Sequence, residues 1–310
     1  MAFHPDLRLA RWIPQLSFGR RTVSLTRLQK RPGPLPRLTD LLVRDIEVPA
    51  ASGSPAVSLR LYQPKSLTSP QPALYWMHGG GFVMGNPEQD EARNLALVRA
   101  LGISVAAVRY RRAPEHPAPA ALEDAYAGLR WLFAHADSLH IDAARIALGG
   151  ASAGGGLAAT LALFAHDKGE VRPAFQLLVY PMLDDRTVTR TAMDTSEVRI
   201  WTSGSNAWAW SAYLGHAPGA PHTSPYAAAA RREDLQGLPP AWVGVGTLDL
   251  FHEEDVAYAK RLREAGVPCE VEVVEGAFHG FDVLFPDKPV VKAFVDAQVR
   301  ALTAARIKSV

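Results

Sequence analysis

The sequence predicts an α/β protein with a mostly parallel central sheet and helices on both faces, and three observations carry that prediction. Short apolar runs alternate with helical patterns from residue 73 onward. A serine stands between glycines at one strand-to-helix junction, and three consecutive glycines follow directly on another strand. Strand–helix alternation is the mark of parallel crossovers, and in such sheets sites form at the carboxyl ends of the strands. A chain of 310 residues, 48% of them apolar, can bury one large core with a small lid appended.

Taken in order, residues 1–40 mix arginines with Leu9, Trp12, Ile13, Leu16 and Phe18 and close on prolines 32, 34 and 36. The spacing of Leu9, Trp12, Ile13 and Leu16 predicts short amphipathic helices, kinked or ended at Pro14, leading into a proline-rich linker. Val43–Pro49 and Val57–Tyr62 alternate as half-buried strands around a Ser-Gly-Ser-Pro turn, which predicts an antiparallel hairpin. The sheet proper is expected in Ala73–Met77, Ile103–Arg109, Ile146–Leu148, Phe175–Tyr180, Trp242–Val245 and Glu270–Val274. Leu122, Tyr126, Leu129 and Phe133 place a helix over 121–134, and Leu157, Leu161 and Phe164 give one buried stripe after Ala153. One stretch breaks the alternation. From Asp185 to about Pro225 there is no good strand but a helical pattern with Trp201, Trp208, Trp210 and Tyr213, and an insertion at a strand's carboxyl end overhangs the site.

Gly150-Ala151-Ser152-Ala153-Gly154 joins the strand Arg145–Leu148 to the next helix. A sharp turn there strains the serine backbone, requires small residues two positions to either side, and lifts the hydroxyl clear of the sheet. His78-Gly79-Gly80-Gly81-Phe82 follows the strand Ala73–Met77, and its glycines let N–H groups approach a ligand. With the N–H of Ala153, those of Gly80 and Gly81, and Gly79 beside them, suit the oxygen of a tetrahedral intermediate.

A serine nucleophile needs a base, and the base an orienting carboxylate. His166 sits in the helix leaving the serine, His216 and His222 flank the insertion, and His252 opens a helix; only His279 lies on a loop after the last strand. Asp249 follows the strand before that loop. It is preferred as the acid over Asp184 and Asp185, which lie one strand further back. Glu253, Glu254 and Asp255 suit a helix N-terminus, with orientation of the His279 loop as their functional option.

Composition narrows the partners. A net charge of +2 makes no case for nucleic acid, and the arginine-rich residues 1–45 read as solvated surface. The single cysteine, Cys269, rules out an internal disulfide and reads as a small core residue in a reducing compartment. No apolar run reaches membrane-spanning length and no secretory leader is recognisable, so a cytoplasmic location is expected. Gly154-x-Gly156-x-x-Ala159 starts inside a helix and lacks the later acid of a dinucleotide site; no P-loop, H-E-x-x-H or cysteine–histidine cluster occurs, so neither a metal nor another cofactor is indicated.

Together His78–Phe82, Tyr110-Arg-Arg-Ala-Pro-Glu115, Gly149–Gly155, Tyr180-Pro-Met-Leu-Asp184, Asp249 with its following acids, and Phe278-His-Gly-Phe281 give the chain its likeness. It resembles the bacterial hormone-sensitive-lipase-like (family IV) carboxylesterases of the α/β-hydrolase fold from about residue 40 to the end. The resemblance implies a triad of Ser152, Asp249 and His279, and an oxyanion hole from the glycine motif and Ala153. It also implies a cap made by segment 1–40 and an insertion at about 186–225 in a catalytic domain of 41–310, and a homodimer through the edge of the last strand. Departures are Ala151, where the family usually has an acid or threonine, and Leu250, where it usually has proline. The expected activity is hydrolysis of carboxylic esters of short or medium acyl chain, with Phe82, Trp201 and Trp208 lining an apolar pocket for a small-molecule substrate. Two rivals remain, an amidase or peptidase with the same triad and a non-catalytic receptor of the same fold.

Overall fold

The computed structural model describes residues 2–23, 35, 38–50, 55–67, 69–190 and 194–307. The Ser-Gly-Ser-Pro turn up to Ser54 and prolines 32, 34 and 36 lie outside them. A single eight-stranded sheet organises the chain, in the order β1-β2-β4-β3-β5-β6-β7-β8. β1 (Leu41–Val48) and β2 (Val57–Pro64) form the expected antiparallel hairpin, and β2 pairs antiparallel with β4 (Ser104–Arg109). From β4 through β3 (Gln71–Met77), β5 (Ile141–Ala151), β6 (Gln176–Val179), β7 (Ala241–Gly246) and β8 (Cys269–Val274) every pairing is parallel. The helices between them are α1 (Glu91–Leu101), α2 (Ala120–Ala134), α3 (Ala153–Lys168) and α5 (His252–Glu264), with α4 (Ser203–Leu214) in the insertion and α6 (Phe281–Leu284) and α7 (Pro289–Ala304) after the sheet.

Burial divides the sheet into a dry centre and two half-wet edges. Every residue of β3, β6 and β7 is buried, whereas β1 alternates and β8 keeps Val273 43% exposed. Central strands covered on both faces read as continuous apolar runs, and edge strands do not. The helix α3 differs from its sequence reading. It is buried on all sides from Ala153 to Leu163, because the sheet, the turn at Ala229–Arg231 and the neighbouring helix enclose it, and Phe164 of the expected stripe is only partly buried. Cys269, read as core, is only partly buried on the edge strand β8.

The N-terminal segment corrects a second expectation. Pro5–Trp12 is a 3-10 helix, whose pitch of three residues per turn aligns positions i and i+3. Leu7 and Ala10 form its buried ridge, Arg8 and Arg11 a cationic one, and Leu9 and Trp12 an exposed apolar one. The stripe read at helical spacing therefore faces outward, with Leu9 55%, Trp12 74% and Leu16 68% exposed, while Ile13 packs partly against the core. The segment is tied to two places. His4 N–H donates to Gly276 O, and further along the Gln15 amide donates to the carbonyls of Thr195, Ser196 and Val198. Leu7→Ala is expected to cost about 2–5 kcal/mol of stability, whereas Trp12→Ser stays within about 0.5 kcal/mol of wild type, both read from denaturant melts.

Candidate active site

Ser152 is the single residue between β5 and α3, at φ +58° and ψ −123°. A side-chain-bearing residue holds that conformation only where its surroundings over-determine it. They do so through the main chain: Ser152 N–H donates to Val179 O, and its carbonyl accepts from Gly156 N–H and Met182 N–H. The glycines around it are forced by contact. A Cβ on Gly150 would lie 2.2 Å from Gly154 O, and one on Gly154 would lie 2.1 Å from Met77 O. These are the two positions flanking the serine at a distance of two, where the sequence demanded small residues.

The loop after β8 brings His279 onto this serine. His279 Nε2 lies 2.9 Å from Ser152 Oγ, and Nδ1 lies 2.8 Å from Asp249 Oδ2. A carboxylate only accepts, so Nδ1 carries the proton and Nε2 is the acceptor for the serine hydroxyl. The other carboxylate oxygen of Asp249 accepts from Phe251 N–H at 3.0 Å, which fixes the carboxylate plane. All three side chains are almost wholly withdrawn from solvent, at 7%, 5% and 5% exposure for Ser152, Asp249 and His279. The imidazole is boxed by rings: Tyr180 at 4.8 Å, Phe251 at 5.2 Å and Trp201 at 6.4 Å between centroids.

The other residues singled out in the sequence fall in distinct places. Gly79 lies against the serine turn, since a Cβ there would sit 3.5 Å from Ser152 Cβ. Gly80 and Gly81 take φ +116° and +60°, and the Trp201 ring occupies the space where a Gly81 Cβ would go. His78 is buried, stacked on Tyr110 and within 2.8 Å of Gly79 O; burial pushes its imidazole down to about 3, so it stays neutral and shapes the turn. Trp201 is held by Phe18 stacked against it and by its Nε1–H donating to Asn206 Oδ1. Phe82 and Trp208 pack against the insertion helix and the core. Phe82 is 1% exposed and stacked on Tyr213 of α4 at 3.9 Å, and Trp208 is half-buried against the main core. Ser152, Asp249 and His279 line neither of two surface clefts of about 580 and 500 Å³.

The rejected candidates are engaged elsewhere. Asp184 pairs with Arg186, and Asp185 is buried with Arg231, Gly219 N–H and the Thr223 hydroxyl. His216 and His222 face one another, and His166 packs by Gly237.

A sheet of this order with a serine between a strand and a buried helix defines an α/β-hydrolase, and the family model described as alpha/beta hydrolase fold matches residues 74–283. Esterase LipI of Mycobacterium tuberculosis is 34% identical over 275 residues, covering 86% of this chain and 82% of its own. Carboxylic ester hydrolase LipN of the same organism is 36% identical over 251 residues, 78% of this chain but only 65% of LipN, so the chain spans just under two thirds of that relative. The solved structure titled Bacterial Heroin Esterase superposes with a TM-score of 0.89 at 34% identity, covering 99% of both chains. The chain belongs to the α/β-hydrolase family, in its hormone-sensitive-lipase-like carboxylesterase branch.

Two features beside the serine were out of reach of the sequence. Tyr180 and Phe251 wall the imidazole, and the only advance sign was that each follows a strand end. Glu254 neither solvates a helix start nor touches the His279 loop. Its Oε1 accepts from the N–H groups of Leu183 and Asp184 and its Oε2 bonds the Thr187 hydroxyl, so it anchors the root of the insertion. Asp255 beside it is fully buried, and burial, with Glu254 and Asp249 nearby, pushes its carboxyl well up. Burial likewise pushes Glu254 up to about 8 from its ordinary 4.5, against the bonds from Thr187 and Leu183. A carboxyl whose folded value is raised favours folding while protonated; that advantage is complete below about 4.5 and is lost as pH rises through about 8. Glu254→Gln keeps the acceptor and a donor without the charge. It is expected to melt at the wild-type temperature near pH 5 and several degrees above wild type near pH 8.5; a constant difference at both pH values would refute the titration.

Proposed function

We propose that the protein is a serine carboxylesterase in which Ser152, His279 and Asp249 form the catalytic triad. The observation that carries this reading is the continuous hydrogen-bond relay from Ser152 Oγ through His279 to Asp249. Ser152 Oγ attacks the ester carbonyl while His279 Nε2 takes its proton, and Asp249 holds the Nδ1–H tautomer and stabilises the imidazolium. The N–H groups of Gly80, Gly81 and Ala153, with Gly79 packed behind them, receive the oxyanion. His279 returns its proton to the leaving alcohol, and water attacks the acyl-serine by the same route in reverse. Segment 1–40 and the insertion 186–225 act together as the cap, with Trp201 as its wall over the serine, and Phe82 props α4 behind it. The enclosed, aromatic surroundings suit acyl chains of short or medium length. Esterase and carboxylic ester hydrolase are the activities that the relatives' names carry.

A panel of p-nitrophenyl esters of increasing acyl length, assayed on wild type and Ser152→Ala, tests this directly. Wild type is expected to turn over short and medium chains, and Ser152→Ala to lose roughly 10⁴-fold or more in kcat. Preference for long chains overturns the acyl assignment, faster turnover of the matching anilides favours an amidase, and inactivity of both proteins favours a receptor.

A cytoplasmic location fits the single free cysteine, and no helix among the described residues is long and apolar enough to cross a membrane; fractionation of the native host is the check, with recovery outside the cytoplasm counting against it. Among the described residues the edge strand β8 pairs only with β7, and it leaves Val273 exposed, which suits a homodimer through that edge. Light scattering during gel filtration is expected to give twice the 33.6 kDa chain mass for wild type and the chain mass for Val273→Glu; a monomeric wild type overturns the dimer.

A further inference from the structure

Tyr180 follows the last residue of β6 and lies beside the serine turn. Its main chain sits at φ +35°, a left-handed conformation that a bulky residue adopts only under constraint. The ring is buried and meets the His279 imidazole at 4.8 Å with an interplanar angle of 60°. Its phenol donates to Asp282 Oδ1 at 2.6 Å. Asp282 lies three residues past His279, on α6, so one side chain grips the loop twice, by its ring at the imidazole and by its hydroxyl just downstream. The other Asp282 oxygen faces Arg93 Nη1 at 3.4 Å. Arg93 in turn donates to Gln298 of α7 and lies 4.5 Å over the Trp76 ring of β3. The contacts thus run from the dry centre of the sheet and from two helices to the loop that carries the base.

We propose that Tyr180 is a positioning residue for ester hydrolysis, acting with Asp282 to hold the His279 imidazole in line between Ser152 and Asp249. The inference rests on the triad reading given above. The loop needs such a tie at its downstream end: Gly276 is pinned by the Thr247 hydroxyl and His4 N–H, whereas Gly280, at φ +71°, has no atom within 4 Å of where its Cβ would stand. An imidazole that swings by an ångström loses its bond to the serine while the protein stays folded. A purely structural Tyr180–Asp282 bond would instead be missed in stability, with kcat and KM unaffected in the folded fraction.

The test is steady-state hydrolysis of p-nitrophenyl butyrate by the purified full chain, with thermal melts alongside. Tyr180→Phe keeps the ring and removes only the hydroxyl; it is expected to lower kcat about tenfold with KM within about twofold. Asp282→Leu, which has no acceptor, is expected to match it, and Asp282→Asn, which keeps an oxygen for the phenol, to recover most of the rate. In the proton spectrum the downfield signal of the His279–Asp249 hydrogen bond is expected to broaden in Tyr180→Phe and to stay sharp in Asp282→Asn. Wild-type kcat in Tyr180→Phe, or a rate loss that only follows the folded fraction, overturns the proposal. Ser152→Ala separates the two failures: if it remains active, the triad reading falls and this inference with it, whereas an inactive Ser152→Ala beside a full-rate Tyr180→Phe removes the positioning role alone.

Discussion

The rest of the site depends on the contact between main chains at the serine turn. Ser152 occupies a backbone conformation that costs on the order of 1–3 kcal/mol in isolation. It is held there because β6 accepts its N–H, two later amides bond its carbonyl, and the main chains of Met77 and Gly154 fill the space where side chains would stand. The turn therefore has no slack. The hydroxyl position is fixed by the sheet, and whatever else the site needs must be brought to it.

What is brought comes on longer and softer connections. His279 arrives on a loop between β8 and α6, Asp249 on the loop after β7, and Trp201 on an insertion closed by the N-terminal segment. Each is fixed by neighbours that do not react. Phe251 N–H sets the Asp249 carboxylate, three rings confine the imidazole, and Phe18 and Asn206 hold the Trp201 indole. Excluding water from this group strengthens every electrostatic contact within it, since the effective dielectric falls well below that of the solvent.

The sequence made the frame legible wherever a local rule had only one solution. The glycines beside Ser152, the apolar runs of β3, β4, β6 and β7, and the late His279 all fall in that class. It was silent or misleading where the answer depended on distant partners. The first four residues of β5, Ile141–Ala144 with the charged Asp142, do not read as strand and are held by the pairing of Ile141 to Gln71 of β3. Leu9 and Trp12 looked buried because a 3.6-residue period was assumed for a segment whose pitch is three. The direction of Glu254 is set by amides across a loop 71 residues away in sequence, and no pattern within α5 encodes that. Tyr180 is similar, since a positive φ at a tyrosine is not written in its neighbours.

The insertion illustrates how such distant contacts fix a segment that has no strand of its own among its described residues. At its root, Glu254 receives two amides and a hydroxyl, and Asp185 is buried with Arg231, a pair whose disruption leaves a buried charge unpaired at about 3–5 kcal/mol. The segment carrying Trp201 is tied to the N-terminal segment by the Gln15 amide, the Ser17–Thr202 pair, Phe18 N–H on the Ser205 hydroxyl and the buried bond from Arg199 Nε to Ala10 O, worth about 0.5–1.5 kcal/mol each, and by the Phe18–Trp201 stack. The indole stands 6.4 Å from the His279 imidazole between centroids and is itself 3% exposed, packed into the site. Several such hydrogen bonds together reach the magnitude of the root's ion pair, so the Trp201 segment is held about as firmly where it meets the N-terminal segment as where it leaves the sheet. The insertion is therefore fixed by residues far from it in sequence, a charged pair where it leaves the sheet and several hydrogen bonds and a ring stack where it meets residues 10–18.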